Sequence, residues 1–169
     1  MAGVGLLTGQ VWTLSGKAAR SATVTVTRVT GDLERWRVLP HGKQPSTTTD
    51  ASGRFALPFQ WMGSDLASGC QNIEVQMCAA VESVSIRGNT TTGESRGFVR
   101  ARTRLYMIPN PTYAVGIAAA DLQSFPGLLQ YSLNIIWALN KFKANLPMVN
   151  FSHAESFLLL GALDITLTE

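Results

Sequence analysis

Thr49-Asp50-Ala51-Ser52-Gly53-Arg54-Phe55-Ala56-Leu57-Pro58 encodes a turn that feeds directly into a half-buried strand. The Asp50 side chain can bond its own backbone two residues on, and Gly53 can take the positive φ that closes the turn. Phe55 and Leu57 then fall on one face of the outgoing strand. This is turn and sheet chemistry rather than catalytic chemistry, and it points to a β-sandwich.

A second signature lies upstream: Gly9-Gln10-Val11, then Gly16-Lys17-Ala18-Ala19, then Ala22-Thr23-Val24-Thr25-Val26. Together the two stretches resemble the carboxypeptidase regulatory-like and transthyretin-like (prealbumin-like) family. Its first hairpin reads G-x-V, a G-x-P/A turn and A-x-V-x-V, with T-D-x-x-G-x-F following. The resemblance covers residues 5–60. Ala18 stands where proline is usual, and residues 31–45 are extra between the second strand and the turn. The resemblance implies a mainly β, Greek-key sandwich and leaves function open, because such folds host many roles.

At 169 residues the chain can bury a substantial core without metals or several disulfides. Its hydrophobic fraction is 46% and its charged fraction only 15%, which speaks against global disorder. A net charge of +3 permits an acidic partner but does not call for nucleic acid. No apolar run reaches the length of a membrane span, and the first residues lack the basic start and apolar centre of a signal peptide. Localisation stays open, with a particle component or export without a classical signal both compatible. The two cysteines, Cys70 and Cys78, allow at most one bridge, and Cys78 reads as a small buried thiol in a strand.

Alternation organises residues 1–111 as the sandwich. A first strand is expected over 6–14 and its return over 22–29, with Ala22, Val24 and Val26 on a dry face and Thr23, Thr25 and Thr27 on a wet one. Within the connection, residues 33–39 form an added short strand carrying Trp36 between Arg35 and Arg37. Residues 72–81 make the clearest strand, with Ile73, Val75 and Met77 facing one way and Glu74, Gln76 and Cys78 the other. A continuation over 83–87 leads to a hairpin tip over 88–93.

The next strand, from 96 to 108, places Arg96, Arg100, Arg102 and Arg104 at one parity. Guanidinium groups roughly 7 Å apart on one face repel unless answered. Glu74 and Glu82 could answer them as a cross-strand charge ladder. Alternatively the row meets a partner surface, since arginine is enriched among interface anchors.

Pro109 and Pro111 end the β-rich region, and residues 112–169 read as a helical extension that closes in a strand. Ser124-Phe125-Pro126 looks like a helix start, and Leu128, Leu129, Ile135, Ile136, Leu139 and Phe142 give an amphipathic helix ending at Asn145. Ser152 and Glu155 have capping-box spacing ahead of Phe157-Leu158-Leu159-Leu160, so a second short helix is expected to end at Gly161. Residues 163–168 alternate as a terminal strand, able to dock on the sandwich edge or to pair with a neighbouring subunit.

Catalytic and metal chemistry is not visible. His41 and His153 have no partner at ligand spacing. Proteins of prealbumin-like fold include non-haem iron dioxygenases, which need clustered tyrosines and histidines; Tyr106, Tyr113 and Tyr131 with two scattered histidines do not form such a cluster. No phosphate loop, nucleophile elbow or carboxylate pair appears. The expectation is therefore a chain that is not an enzyme and needs no cofactor or metal: a structural or interaction module, a subunit of an assembly of the phage-tail, virion or contractile-injection type. Its partners would be protein subunits, itself included. Arg100, Arg102, Arg104, Trp36, Leu163, Ile165 and Leu167 are the interface candidates. The alternative is a carbohydrate- or surface-binding module of an extracellular protein, with Trp12, Trp36 and Trp61 as sugar platforms.

Overall fold

The computed structural model describes residues 2–29, 36–37, 45–62, 70–81, 85–86, 89–90, 95–109, 121–145 and 157–168. Within them lie β1 (Ala2–Trp12), β2 (Ala22–Val29), β3 (Trp36–Arg37), β4 (Ser46–Thr48), β5 (Arg54–Met62), β6 (Cys70–Val81), β7 (Ser85–Ile86), β8 (Asn89–Thr90), β9 (Ser95–Pro109) and β10 (Phe157–Thr166). A 3-10 turn (Asp121–Ser124) and helices α1 (Pro126–Leu129) and α2 (Ser132–Asn145) precede β10. The fold is mainly β, as the alternation predicts. Eight strands form one sheet in the order β3-β5-β1-β10-β9-β6-β2-β4, while β7 and β8 pair as a separate hairpin.

The turn that decides the fold forms as its residues dictate. Asp50 Oδ1 accepts hydrogen bonds from the backbone of Ser52 (2.8 Å) and Arg54 (2.9 Å), and Gly53 sits at φ 74°. A Cβ on Gly53 would also stand 2.4 Å from the Val11 carbonyl oxygen, so the site demands glycine twice over. Phe55, Leu57 and Phe59 then point into the core, and Val24 and Val26 meet them from β2. The preceding hairpin turns earlier than expected: β1 stops at Trp12, and Leu14 is exposed in the turn.

Thr49 is a buried hydroxyl beside this turn. It accepts from Ala22 N at 2.8 Å and donates to the Ala19 carbonyl, so it stitches the start of β2 to the turn. Thr49→Val keeps the shape but strands a buried N–H and a carbonyl, and is expected to cost about 1–3 kcal/mol in urea unfolding. An unchanged midpoint would show that water or a backbone shift satisfies both groups.

β9 and β10 pair only from Phe157↔Pro109 to Leu160↔Tyr106. Beyond that corner the sheet divides into a β3-β5-β1-β10 half and a β9-β6-β2-β4 half. Residues of both halves, among them Leu7, Phe55, Val75, Leu105 and Leu163, share a single buried cluster, so the halves face each other. A second cluster lies on the opposite side of β1 and β10, where Leu6, Leu160 and Ala162 pack under Leu128, Ile135 and Leu139 of the helices. The buried Thr8 hydroxyl joins these layers, reaching Phe55 O at 2.9 Å and Asn134 O of α2 at 3.4 Å.

This layering corrects two expectations. Phe157-Leu158-Leu159-Leu160-Gly161 is not a helix but the first half of β10, which runs parallel to β1 from Val4↔Leu158 to Trp12↔Thr166. A strand covered by sheet on one side and helix on the other is apolar on both faces, so its sequence loses the alternation that marks half-exposed strands. Residues 163–168 dock beside β1 with Leu163, Ile165 and Leu167 in the core, while past Leu160 the β9 side of β10 carries no ladder. The long helix expected to reach Asn145 is real but interrupted, because Tyr131 N bonds Leu128 O in a tighter turn before α2 begins. Residues 152–156, the expected second helix start, lie outside the described residues.

Candidate functional site

The outer face of the β9-β6-β2-β4 half carries the arginine row. Leu105 of β9 points into the core, so the opposite parity turns Arg100, Arg102 and Arg104 outward, and all three are exposed. Register aligns Arg100 with Gln76, Thr25 and Ser46 in one cross-strand line. Arg102 stands opposite Glu74, and Arg104 opposite Asn72. Arg102 Nη2 lies 2.7 Å from Glu74 Oε1. Thr25 and Ser46 share a hydroxyl hydrogen bond of 3.2 Å, and Thr27 Oγ1 reaches the Glu74 carbonyl at 3.4 Å.

Among the described residues the charge ladder has one rung. Glu74 answers Arg102, while among the described residues no carboxylate pairs with Arg100 or Arg104. Arg96 keeps its place in the β9 backbone opposite Ala80, but its side chain and all of Glu82 lie outside the described residues. With 81% of the Arg102 side chain exposed, the pair is screened by solvent and contributes at most about 1 kcal/mol. Among the described residues this polar face sets Arg100 and Arg104, without a carboxylate partner, on either side of the Arg102–Glu74 pair.

The other interface candidates separate. Leu163, Ile165 and Leu167 retain 6%, 4% and 3% exposure and belong to the main core, so they are corrected from contact residues to core residues. Trp36 lies in the added short strand, whose backbone pairs Trp36 with Trp61 at the β5 edge; both side chains lie outside the described residues. Trp12 is half-buried at the end of β1. Cys70 and Cys78 occupy one uninterrupted strand. Eight residues of extended chain hold their Cα atoms roughly 26 Å apart, well beyond the span of about 7 Å that a disulfide bridges. They do not bond to each other.

A second polar cluster went unread in the sequence. The Trp137 ring of α2 lies 4.9 Å from the Arg54 guanidinium and 5.0 Å from Lys141 Nζ. Arg54 also approaches Asp50 at 4.0 Å, and register places Arg54, Gln10 and Asp164 in one line across β5, β1 and β10. The Arg54 contact ties α2 to the start of β5 and the Lys141 contact lies within α2, each worth about 0.5–1 kcal/mol. The only sequence signal was the i,i+4 pairing of Trp137 with Lys141; nothing local pointed to Arg54.

Asp164 is pushed above the ordinary carboxylate range, chiefly by partial desolvation, with a hydrogen bond to the Gln10 backbone pulling the other way. Its folded pKa lies above the unfolded one, so this group's contribution to stability falls as pH rises through that window and stays reduced above it. Asp164→Asn is therefore expected to raise the urea midpoint at neutral pH and to change it little near about pH 3. An equal gain at both pH values would assign the effect to something other than ionisation.

Tyr106 meets Phe125 edge-on, with centroids 5.9 Å apart, and both pack with Tyr131 against the helical cluster. Tyr113, His41 and His153 lie outside the described residues. Among the described residues no three His, Cys, Asp or Glu side chains converge as metal ligands. Nor is any described helix long and apolar enough to cross a membrane, which says nothing of a β-barrel.

No protein-family profile matches the sequence, and no curated protein matches it. Among solved structures, the chain is similar to the crystal structure of catechol 1,2-dioxygenase from Pseudomonas arvilla C-1, with a TM-score of 0.39 and 13% identity. The alignment takes in 98% of this chain and 52% of that one, so this chain spans about half the length of that neighbour. The neighbour is an enzyme, and the expectation that this chain is not one is withdrawn. A likeness at this level assigns no reaction.

Proposed function

We propose that this chain is a structural or interaction module, a subunit of a larger protein assembly of the phage-tail, virion or contractile-injection type, built on a transthyretin-like Greek-key sandwich. The crossings of the chain between half-sheets support the fold reading: β1 and β5 lie in one half, β2, β4, β6 and β9 in the other, and β10 returns beside β1. The functional reading rests on one observation, the exposed Arg100 and Arg104 on a polar face with no carboxylate partner among the described residues. Unneutralised like charges on one face are destabilising in isolation and are relieved by an acidic surface.

The attachment expected of the terminal strand moves to this face. Leu163, Ile165 and Leu167 are core, and the outermost strands of the sheet are short, two residues in β3 and three in β4, as befits edges that resist strand addition. Solution mass by light scattering, at low and high concentration, tests the reading on the full chain and on the Arg100→Glu/Arg104→Glu variant. A concentration-dependent oligomer that the double variant reduces to monomer supports self-assembly through this face. An oligomer that persists in the variant removes the face as the link. A monomer throughout, with glycan binding lost in Trp36→Ala, replaces the assembly reading with the carbohydrate one.

A further inference from the structure

We propose that the outer face of β9, β6 and β2 binds an extended acidic segment of another protein chain, and selects it by the spacing of its carboxylates. This deepens the assembly reading and rests on it. Arg100 and Arg104 are four strand positions apart, roughly 14 Å. Between them Arg102 is engaged by Glu74 at 2.7 Å, so the middle of the row offers a neutralised pair whose carboxylate repels a third acid.

An extended segment with acids at positions i and i+4 and a neutral residue at i+2 satisfies both arginines and avoids Glu74, because alternate residues of a strand share one face about 7 Å apart. Beside the row, Gln76 and the hydroxyls of Thr25 and Ser46 present neutral donors and acceptors to the rest of the segment. A nucleic acid fits poorly. Its strand carries a charge at every 3.4 Å or so of helix axis, which sets phosphate against Glu74, and the net charge of +3 gives little general attraction.

The test titrates the full chain with a labelled seven-residue peptide bearing glutamate at its second and sixth positions and serine at the fourth. Parallel titrations use the same peptide with glutamate at the fourth position and a single-stranded oligonucleotide. Fluorescence anisotropy at low salt is expected to show the two-glutamate peptide binding about fivefold tighter than the three-glutamate one, despite its lower charge. Glu74→Gln should abolish or reverse that preference, and Arg100→Glu/Arg104→Glu should weaken binding about tenfold or more. An unchanged urea midpoint in each variant confirms that the fold is intact.

Tighter binding of the three-glutamate peptide or the oligonucleotide to the unmodified chain overturns the inference, as does no binding of the two-glutamate peptide at millimolar concentration. If peptides fail to bind while the charge-reversal variant still loses its oligomer, the assembly reading survives and the spacing rule falls. If the peptide preference holds while the chain is monomeric throughout, self-assembly fails and the acidic-segment site stands.

Discussion

Removal of residues 163–169 is expected to abolish cooperative folding rather than to yield a trimmed monomer. Leu163, Ile165 and Leu167 are almost wholly buried in the cluster shared by both half-sheets. Full burial of such side chains is worth about 1.5–3 kcal/mol each, so three of them approach the whole stability of a domain, typically about 5–15 kcal/mol. The truncation also strips the parallel ladder from Gly9↔Leu163 to Trp12↔Thr166 and the bond from Leu167 N to Trp12 O at 2.8 Å. The expected signature is loss of near-ultraviolet circular dichroism and of a sigmoidal urea transition. A truncated chain that melts at the full-length midpoint would show these side chains to be dispensable.

Gly9→Ala comes next in severity, with an expected loss of about 3 kcal/mol. An ideal Cβ there would stand 1.8 Å from the Leu163 carbonyl oxygen and 3.0 Å from a Phe55 ring carbon. The obstacle is backbone, so relief requires β10 to move against β1, which would disturb the clusters on both faces of that pair. Gly5, earlier in β1, leaves room in the same way for the Phe59 ring directly opposite it. Gly16→Ala is the control. Its φ is 81° but nothing lies within 4 Å of the added methyl, so the cost is the backbone preference alone, about 1–2 kcal/mol. Urea midpoints ranking Gly16→Ala as the more damaging change would contradict the close approach of β1 and β10.

Local chemistry made much of the sheet legible. Asp50 and Gly53 need only their neighbours to form a turn, and the parity of Val24 against Thr25 or of Leu105 against Arg104 reports which face is dry. That parity also brought the arginine row and its Glu74 neighbour into view. It does not say which strands adjoin. The position of β10 stayed hidden because helix and sheet together bury both its faces, and four consecutive apolar residues then suit a helix as well as a strand. Leu163, Ile165 and Leu167 alternate with exposed Asp164, Thr166 and Thr168, a pattern that reports a dry face without saying whether the chain's own core or a partner covers it. The Arg54–Trp137 contact joins residues distant in the chain, and no short-range pattern encodes it.

The parallel pairing of β1 with β10 sets the order of events in time. Val4 and Leu158 are partners, separated by roughly 150 positions, and contacts between such remote segments slow folding because the intervening loop must close first. During synthesis β1 emerges long before its partner exists. Until β10 arrives, one side of β1 exposes unpaired amides and carbonyls flanked by Leu6 and Leu7, an adhesive strip open to other nascent copies. The chain is therefore expected to refold over milliseconds to seconds, and its yield on dilution from denaturant should fall as protein concentration rises.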